Sequence, residues 1–341
     1  MKVHILGLPQ AGQQEFFSLL TGVKLDLIRQ KPLEIHPGVC EVIDPRIQKL
    51  SEMYRPKKTT YARIEYFLLP DFASAGPAKA LIFSELRKTD EICWVARSEN
   101  APAEIADFVS EMILNDLAVT EKRIETLEHE QRRKFLEAKE KEKTLMGLCK
   151  KELENETPLR QITFNPEDLK TIRGLNFLTL KPWVFVINAP EDRLADDSFT
   201  RKISEKYGYP CLQVCAGLEE EISRLGESER KEFMKEMGIT EPALHQMTRL
   251  VFEGLGLISF FTVGQDEVRA WPIRKNSHAP EAGGAVHSDI EKGFIRAELI
   301  KYHDLVTLGT EAKVKEAGKF SLKGRDYLVE DGDVLNFRFN T

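Results

Sequence analysis

The beginning of the chain alternates strand and helix signals in a way that restricts the fold. Residues 3–6 are an apolar run, residues 7–12 carry glycine at both ends, and residues 13–20 place apolar side chains at helical spacing. Further apolar strand candidates, with helical stretches between them, are residues 64–69, 91–96 and 183–187. Such alternation is typical of a parallel sheet covered by helices on both faces. The sequence therefore predicts an α/β fold.

The glycine-bounded segment has the frame of a phosphate-binding P-loop without its charged groups. A P-loop reads G-x-x-x-x-G-K-S/T: amides surround the phosphate oxygens, the Lys reaches the terminal phosphates, and the hydroxyl holds magnesium. Here Gly7 and Gly12 are present, but Gln13 and Gln14 stand at the Lys and Ser/Thr positions, and Glu15 adds a negative charge. We therefore expect no catalytic residue and no metal ligand in this loop. The alternative is a purely structural strand-to-helix turn.

The middle of the chain differs in composition. Between residues 103 and 146 there is neither Pro nor Gly, and Ile113, Leu117, Ile124 and Leu127 recur at helical spacing. This pattern predicts one long amphipathic helix or a helical hairpin, with coiled-coil character. Its many charges indicate a solvated surface or a docking arm for RNA or a protein partner.

The C-terminal part looks like a separate small domain. Residues 258–263 and 268–273 read as a hairpin, and Asp331-Gly332 between two strand patterns is a strong turn signal. Short strands around one or two helices predict an α+β domain.

Several stretches together resemble the YchF / Obg-like ATPase family, a branch of the P-loop GTPase class. They are residues 1–20, 44–46, 176–182, 267–271, 291–298, 315–319 and 331–334. The resemblance implies a P-loop NTPase-like G domain (1–105 and 157–256), a helical, coiled-coil insert (106–156) and a TGS domain of the β-grasp type (257–341). It also implies nucleotide hydrolysis and association with ribosomes or RNA.

The resemblance assigns a vestigial nucleotide site. Its phosphate end comprises Gly7, Gly12, Gln13 and Gln14, and its base end Asn188 and Glu191, from the Asn-x-x-Glu motif that favours adenine in the family, with Cys215 and Ala216. The family's switch II Asp falls at Leu68 and its Gly near Asp71, and the switch I Thr falls near Glu34. The mobile loop that follows switch II is reduced to residues 73–77. The phosphate and magnesium end is thus dismantled, whereas the base end is retained.

The leading hypothesis is a protein that does not hydrolyse nucleotide and binds a ribosome, RNA or protein partner in translation or stress response. Candidate surface residues for such a partner are Arg269, Trp271, Arg274, Lys292 and Arg296. The alternative is an active ATPase or GTPase with an unusual phosphate site, in which Lys24, Arg29 or Lys31 replaces the missing Lys. ATP or GTP is a possible ligand, and magnesium dependence is not expected.

Composition narrows the remaining classes of protein to which the chain could belong. The balance of 49 basic and 55 acidic residues gives a net charge of −6, which argues against a uniformly basic nucleic-acid binder, and no DNA-reading motif is present. Five scattered cysteines favour neither a disulfide framework nor a zinc site. No apolar run is long enough to cross a membrane, and no signal-peptide pattern precedes the first strand, so we expect a cytoplasmic protein.

Overall fold

The computed structural model describes residues 1–73, 76–133, 137–194, 198–237, 239 and 241–340. The strands are β1 (Lys2–Gly7), β2 (His36–Glu41), β3 (Lys58–Thr60), β4 (Arg63–Leu68), β5 (Glu91–Arg97), β6 (Trp183–Asn188), β7 (Cys211–Val214), β8 (Leu257–Thr262), β9 (Glu267–Arg274), β10 (Phe294–Lys301), β11 (Ser321–Lys323) and β12 (Asp333–Phe339). The helices are α1 (Gln13–Thr21), α2 (Leu25–Gln30), α3 (Pro45–Tyr54), α4 (Pro77–Leu86), α5 (Ala101–Arg133), α6 (Glu137–Glu154), α7 (Pro166–Ile172), α8 (Ser198–Tyr207), α9 (Ala216–Arg224), α10 (Glu227–Glu236), α11 (Ala243–Gly254), α12 (Ala279–Val286), α13 (Ser288–Lys292), α14 (Tyr302–Leu308) and α15 (Glu311–Glu316).

The chain divides into two compact units. The first contains Met1–Val39 and Glu65–Met247, and the second contains Cys40–Ile64 and Thr248–Thr341. Among the described residues, no helix is both long and apolar enough to cross a membrane.

The first unit is built on a six-stranded sheet with the order β2-β4-β1-β5-β6-β7. Strand β1 pairs in parallel with β4 and β5, and the pairs β5–β6 and β6–β7 are also parallel. The central strands are buried almost throughout, as their continuous apolar runs require for a sheet covered on both faces. The expected α/β fold is confirmed.

An aromatic cluster fills one side of this sheet. Phe108 on α5 stacks on Trp94 of β5 with ring centroids 4.5 Å apart, and its edge meets Trp183 of β6 at 5.1 Å. Phe72, just after β4, meets Trp94 edge to face at 5.2 Å. These rings fix the base of α5, and the segment after β4, onto the sheet.

The long charged region forms two helices, α5 and α6, that pack as a hairpin. Of the two predicted alternatives, one long helix or a helical hairpin, the structure shows the hairpin. Among the residues of the hairpin that the structure describes, four ion pairs cross between the helices: Glu121–Lys150, Arg123–Glu142, Glu128–Lys143 and Glu130–Lys139. Their order makes the two helices antiparallel. Leu127, Leu145 and Met146 are buried, and ion pairs lie on both sides of them along the hairpin, Glu121–Lys150 toward the base and Glu130–Lys139 toward the tip.

A buried carboxylate ties α5 to the segment before β6. Asp116 is fully buried and accepts hydrogen bonds from the backbone amides of Leu178 at 2.9 Å and Thr179 at 2.7 Å, and from the Thr179 hydroxyl at 2.7 Å. Burial raises the pKa of Asp116, and the three donors oppose that shift. The segment 176–182 is therefore fastened to α5 by hydrogen bonds to a buried carboxylate.

The second unit is a β-grasp-like sheet with the order β11-β10-β12-β8-β9-β3. The predicted hairpin of β8 and β9 is antiparallel. Strand β3 pairs in parallel with β9, Lys58 opposite Glu267 and Thr60 opposite Arg269. This pairing groups residues 40–64 with the second unit, whereas the sequence placed them in the G-like domain. With that difference, the division into three domains stays a prediction.

Two polar networks hold this unit together. Arg46 of α3 contacts Asp44 at 2.8 Å and Asp331 at 2.6 Å. Asp333 is fully buried and accepts hydrogen bonds from Lys301 Nζ and the Tyr327 hydroxyl, both at 2.7 Å. The Asp-Gly-Asp turn is therefore a structural element of the fold.

Candidate functional site

The glycine loop connects β1 to α1 as expected, and both glycines are sterically required. A Cβ on Gly7 would lie 2.6 Å from the carbonyl oxygen of Val95, well inside contact distance. Gly12 has a φ of 91° and precedes the first turn of α1, and a Cβ on it would overlap the side-chain amide of Asn188. The structure thus brings Asn188, from the base end of the predicted site, against the phosphate loop.

The side chain at the P-loop Lys position is folded into the protein. Gln13 is only 2 % exposed, and its Nε2 donates a hydrogen bond of 2.6 Å to Oδ1 of Asp71. Its Oε1 is buried without a hydrogen-bond partner among the described residues, and lies 3.4 Å from the position of a Cβ on Gly7. The Gln13 amide therefore points to a carboxylate.

The segment carrying Asp71 is fastened to β1. The Leu69 amide donates to the Ile5 carbonyl at 2.9 Å, and the Phe72 amide donates to the Gly7 carbonyl at 3.0 Å. Leu68, at the position of the family's switch II Asp, is 2 % exposed. An apolar side chain there offers no magnesium ligand. Residues 74 and 75 of the shortened loop lie outside the described residues.

The basic residues named for the alternative phosphate site are mostly paired with acids. Arg29 contacts Glu15 at 2.8 Å, and Lys31 contacts Glu34, near the switch I Thr position, at 3.0 Å. Lys24 is exposed just before α2. Since both ion pairs are solvent-exposed, they are weak and can be exchanged for other partners.

The base-end residues gather at the carboxyl ends of β6 and β7. Asn188 ends β6, Glu191 is exposed in the short turn Glu191–Arg193, and Cys215 precedes α9, which Ala216 begins. The Ala189 amide donates to the Val214 carbonyl at 2.8 Å and joins the two strand ends. A cavity of about 280 Å³ opens beside α9, lined by Glu15, Ser18, Leu19, Gly22, Leu25, Ala216, Gly217 and Glu220.

The candidate partner surface of the second unit does not form one patch. Trp271 is half-buried, donates from Nε1 to the Thr262 hydroxyl at 2.9 Å and packs on the core, and Arg269 stacks on its ring at 3.8 Å. Arg296 is exposed next to Ala297 of the same core, so it lies on the opposite sheet face. Arg274 and Lys292 are exposed at the ends of β9 and α13.

His4 and Glu91 are buried ionisable groups in the first unit's sheet, away from the glycine loop. His4 is 2 % exposed, and burial lowers its pKa to about 4. Glu91 begins β5 fully buried, and burial raises its pKa well above the ordinary value. Within the described part of the chain, no group of three or more His, Cys, Asp or Glu residues is placed to hold a metal ion.

Sequence reasoning missed the contact between Gln13 and Asp71. The two residues are 58 positions apart, and local patterns do not report such pairs. A signal was nevertheless present, because an amide at the Lys position and a carboxylate at the switch II Gly position are matched hydrogen-bonding groups.

Comparisons with known proteins agree with this architecture. The family model YchF-GTPase_C, described as a protein of unknown function (DUF933), matches residues 257–340. The chain is 37 % identical over 364 residues to "Ribosome-binding ATPase YchF" of Bacillus subtilis (strain 168), covering 98 % of each. It is 35 % identical over 360 residues to the protein of the same name from Escherichia coli O157:H7, covering 99 % of each. The structure of the Schizosaccharomyces pombe YchF GTPase superposes with a TM-score of 0.84 at 26 % identity, over 99 % of this chain and 97 % of that one. The chain therefore belongs to the YchF family.

Proposed function

We propose that this protein is a ribosome-binding member of the YchF family that does not hydrolyse ATP or GTP and acts in the cytoplasm. The ribosome as partner is supported by relatives whose names call them ribosome-binding ATPases. The absence of hydrolysis is supported by one observation above the others, the hydrogen bond between Gln13 and Asp71 in the phosphate loop.

The chemistry of phosphoryl transfer explains why this contact matters. The reaction depends on positioning and on neutralising the charge of the transferred group with Lys and magnesium. Here a neutral amide occupies the Lys position, a leucine occupies the position of the switch II Asp, and the carboxylate of Asp71 adds negative charge. Removing two electrostatic terms of about 3 kcal/mol each would slow the reaction by roughly 10⁴.

A restoration series tests this assignment. Gln13→Lys alone would place its ammonium group beside the Asp71 carboxylate, so we expect no gain in ATP binding. Adding Asp71→Gly, Gln14→Ser and Leu68→Asp returns the P-loop cation, the hydroxyl and the switch II carboxylate, and we expect magnesium-dependent binding to appear only then. Magnesium-dependent ATP binding by the Gln13→Lys variant alone would contradict a site closed by Asp71.

Ribosome binding has a direct test. Purified protein is sedimented with ribosomal subunits at low and high salt, with ATP, with GTP and without nucleotide. We expect co-sedimentation at low salt, where electrostatic binding is strongest, and the same bound fraction with and without nucleotide. Absence of co-sedimentation at low salt, or binding only with ATP, would contradict the proposal.

The alternative function is an ATPase or GTPase with an unusual phosphate site. One observation favours it: the Glu15–Arg29 ion pair holds a guanidinium beside the first turn of α1. In that case phosphate release would exceed the buffer background and would be lost in Arg29→Ala, but not in the matched variant Lys31→Ala. If phosphate release stays at the buffer background in the wild type and in both variants, this use of Arg29 is excluded.

A further inference from the structure

We infer that the hydrogen bond from Gln13 to Asp71 takes the place of a terminal phosphate, and holds the segment of residues 69–73 in one conformation without any nucleotide. This inference rests on the proposed function. In GTPases the terminal phosphate and its magnesium order the switch segments, which are released after hydrolysis. In this protein the positions of the P-loop Lys and the switch II Gly contact each other directly, at 2.6 Å.

The orientation of the Gln13 amide supports a fixed contact. Its Nε2 faces the Asp71 carboxylate, and its Oε1 is buried without a hydrogen-bond partner among the described residues. The flipped orientation would place Oε1 against the carboxylate, with no hydrogen between two acceptors. A hydrogen bond to a charged acceptor is stronger than one between neutral groups, and burial of the donor strengthens it further.

The backbone beside this contact is fastened to the same loop. Phe72, next to Asp71, donates its amide to the carbonyl of Gly7, and Leu69 donates to Ile5. The segment 69–73 is therefore joined to the P-loop by the Phe72–Gly7 backbone hydrogen bond and the Gln13–Asp71 side-chain hydrogen bond, and to β1 by the Leu69–Ile5 backbone hydrogen bond.

A second set of contacts, made by the ring of Phe72, independently opposes movement of this segment. The Phe72 ring is 7 % exposed and packs edge to face against Trp94, Phe83 and Phe108, with centroids 5.2 to 6.2 Å apart. Moving the segment away from the loop would expose this ring. The segment is therefore anchored on one side by the aromatic cluster and on the other by Gln13.

The consequence is a protein fixed in one state with respect to this switch. A nucleotide could shift such an equilibrium only through different affinities for two conformations, and here one conformation is held by internal contacts. The segment should accordingly respond to changes at Gln13 and Asp71 and not to added ATP.

Hydrogen exchange at the amides of Leu69 and Phe72 tests this in the full-length, nucleotide-free protein. We expect exchange about tenfold faster in Asp71→Ala, since the lost bond to a charged acceptor is worth about a factor of ten in the opening equilibrium. Asp71→Asn keeps a carbonyl oxygen as acceptor and should stay within about threefold of the wild type. The control Glu15→Ala breaks an exposed ion pair on the same helix and should leave both amides unchanged.

Gln13→Leu keeps the test informative if Asp71→Ala does not fold. It removes the donor with little change in volume, and should speed exchange at the same amides as Asp71→Ala does. In the double variant the two effects should not add, because both remove the same interaction.

Unchanged exchange in both Asp71→Ala and Gln13→Leu, or additive effects, would overturn the inference even if the protein binds no ATP. Magnesium-dependent ATP hydrolysis by the wild type would instead refute the proposed function. The two failures are therefore distinguishable.

Discussion

The buried histidine of β1 gives the clearest prediction about stability. His4 is 2 % exposed, stacks on Phe67 with ring centroids 5.1 Å apart, and has no hydrogen-bond partner for either ring nitrogen among the described residues. Burial is the main cause that lowers its pKa from 6.5 to about 4. Glu85 opposes the shift, with its Oε2 3.9 Å from Nε2, and Lys2, Lys181 and Lys88 add to it.

The sign of the pH effect follows from this depressed pKa. Below pH 6.5 the unfolded chain takes up a proton at His4, whereas the folded protein stays neutral there until about pH 4. The free energy of unfolding therefore falls as the pH falls through this window. At 1.36 kcal/mol per unit of pKa, the full effect is about 3 kcal/mol, and the part between pH 7 and pH 5 is about 2 kcal/mol.

The assay is urea unfolding of the wild type and of His4→Leu at pH 5, 6 and 7. We expect the variant to equal or exceed the wild type at pH 7, because it removes two buried nitrogens without partners, and to exceed it by about 2 kcal/mol more at pH 5. The control His129→Gln, at an exposed position of α5, should follow the wild type at every pH. Parallel pH dependences for wild type and His4→Leu would contradict the lowered pKa of His4.

Three further substitutions test other structural assignments, each by urea unfolding at pH 7. Asp116→Ala leaves three buried donors without an acceptor, and should lower the free energy of unfolding by about 3–5 kcal/mol. Gly12→Ala places a side chain at a φ of 91° and against the side chain of Asn188, and should lower the free energy of unfolding by more than about 2 kcal/mol. Adding Asn188→Ala removes the overlap and should restore that part of the loss. Arg46→Ala leaves Asp44 and Asp331 without their shared cation and should cost about 2 kcal/mol in the second unit.

For each of the three substitutions, one result would contradict the structural assignment. A loss below about 1 kcal/mol for Asp116→Ala would mean that water replaces the carboxylate at the segment before β6. A Gly12→Ala protein as stable as the wild type would mean that the loop tolerates a side chain. An unchanged free energy of urea unfolding for Arg46→Ala would contradict the assignment that Arg46 fastens α3 to the Asp331 turn.

Much of the fold was accessible from local patterns, because its central strands are continuous apolar runs. The regions of β1, β4, β5 and β6 were predicted from such runs, and the hairpin of β8 and β9 from its short connection. The pairing of β3 with β9 could not be predicted, since it joins three residues near position 60 to a strand two hundred residues later. For the same reason no local pattern indicated that residues 40–64 group with the second unit.

The candidate site likewise has one part that the sequence predicts and one part that only the folded structure shows. The loss of the P-loop cation at Gln13 can be seen in the sequence, because a single position decides the charge. The partner of Gln13 depends on how the end of β4 is placed beside β1, which only the folded sheet shows. Trp271 shows another limit of local patterns: neighbouring arginines favoured a binding surface, whereas the structure shows a half-buried ring that packs on the core and an Nε1 that donates to Thr262, so its role toward a partner stays a prediction.

The central claim is that the phosphate end of the site is closed by the protein's own side chains. Isothermal titration of ATP with magnesium into the wild-type protein tests it most directly, with the Gln13→Lys/Gln14→Ser/Leu68→Asp/Asp71→Gly variant as the positive comparison. We expect no saturable, magnesium-dependent heat for the wild type and measurable binding by the variant. Micromolar, magnesium-dependent ATP binding by the wild type would contradict it.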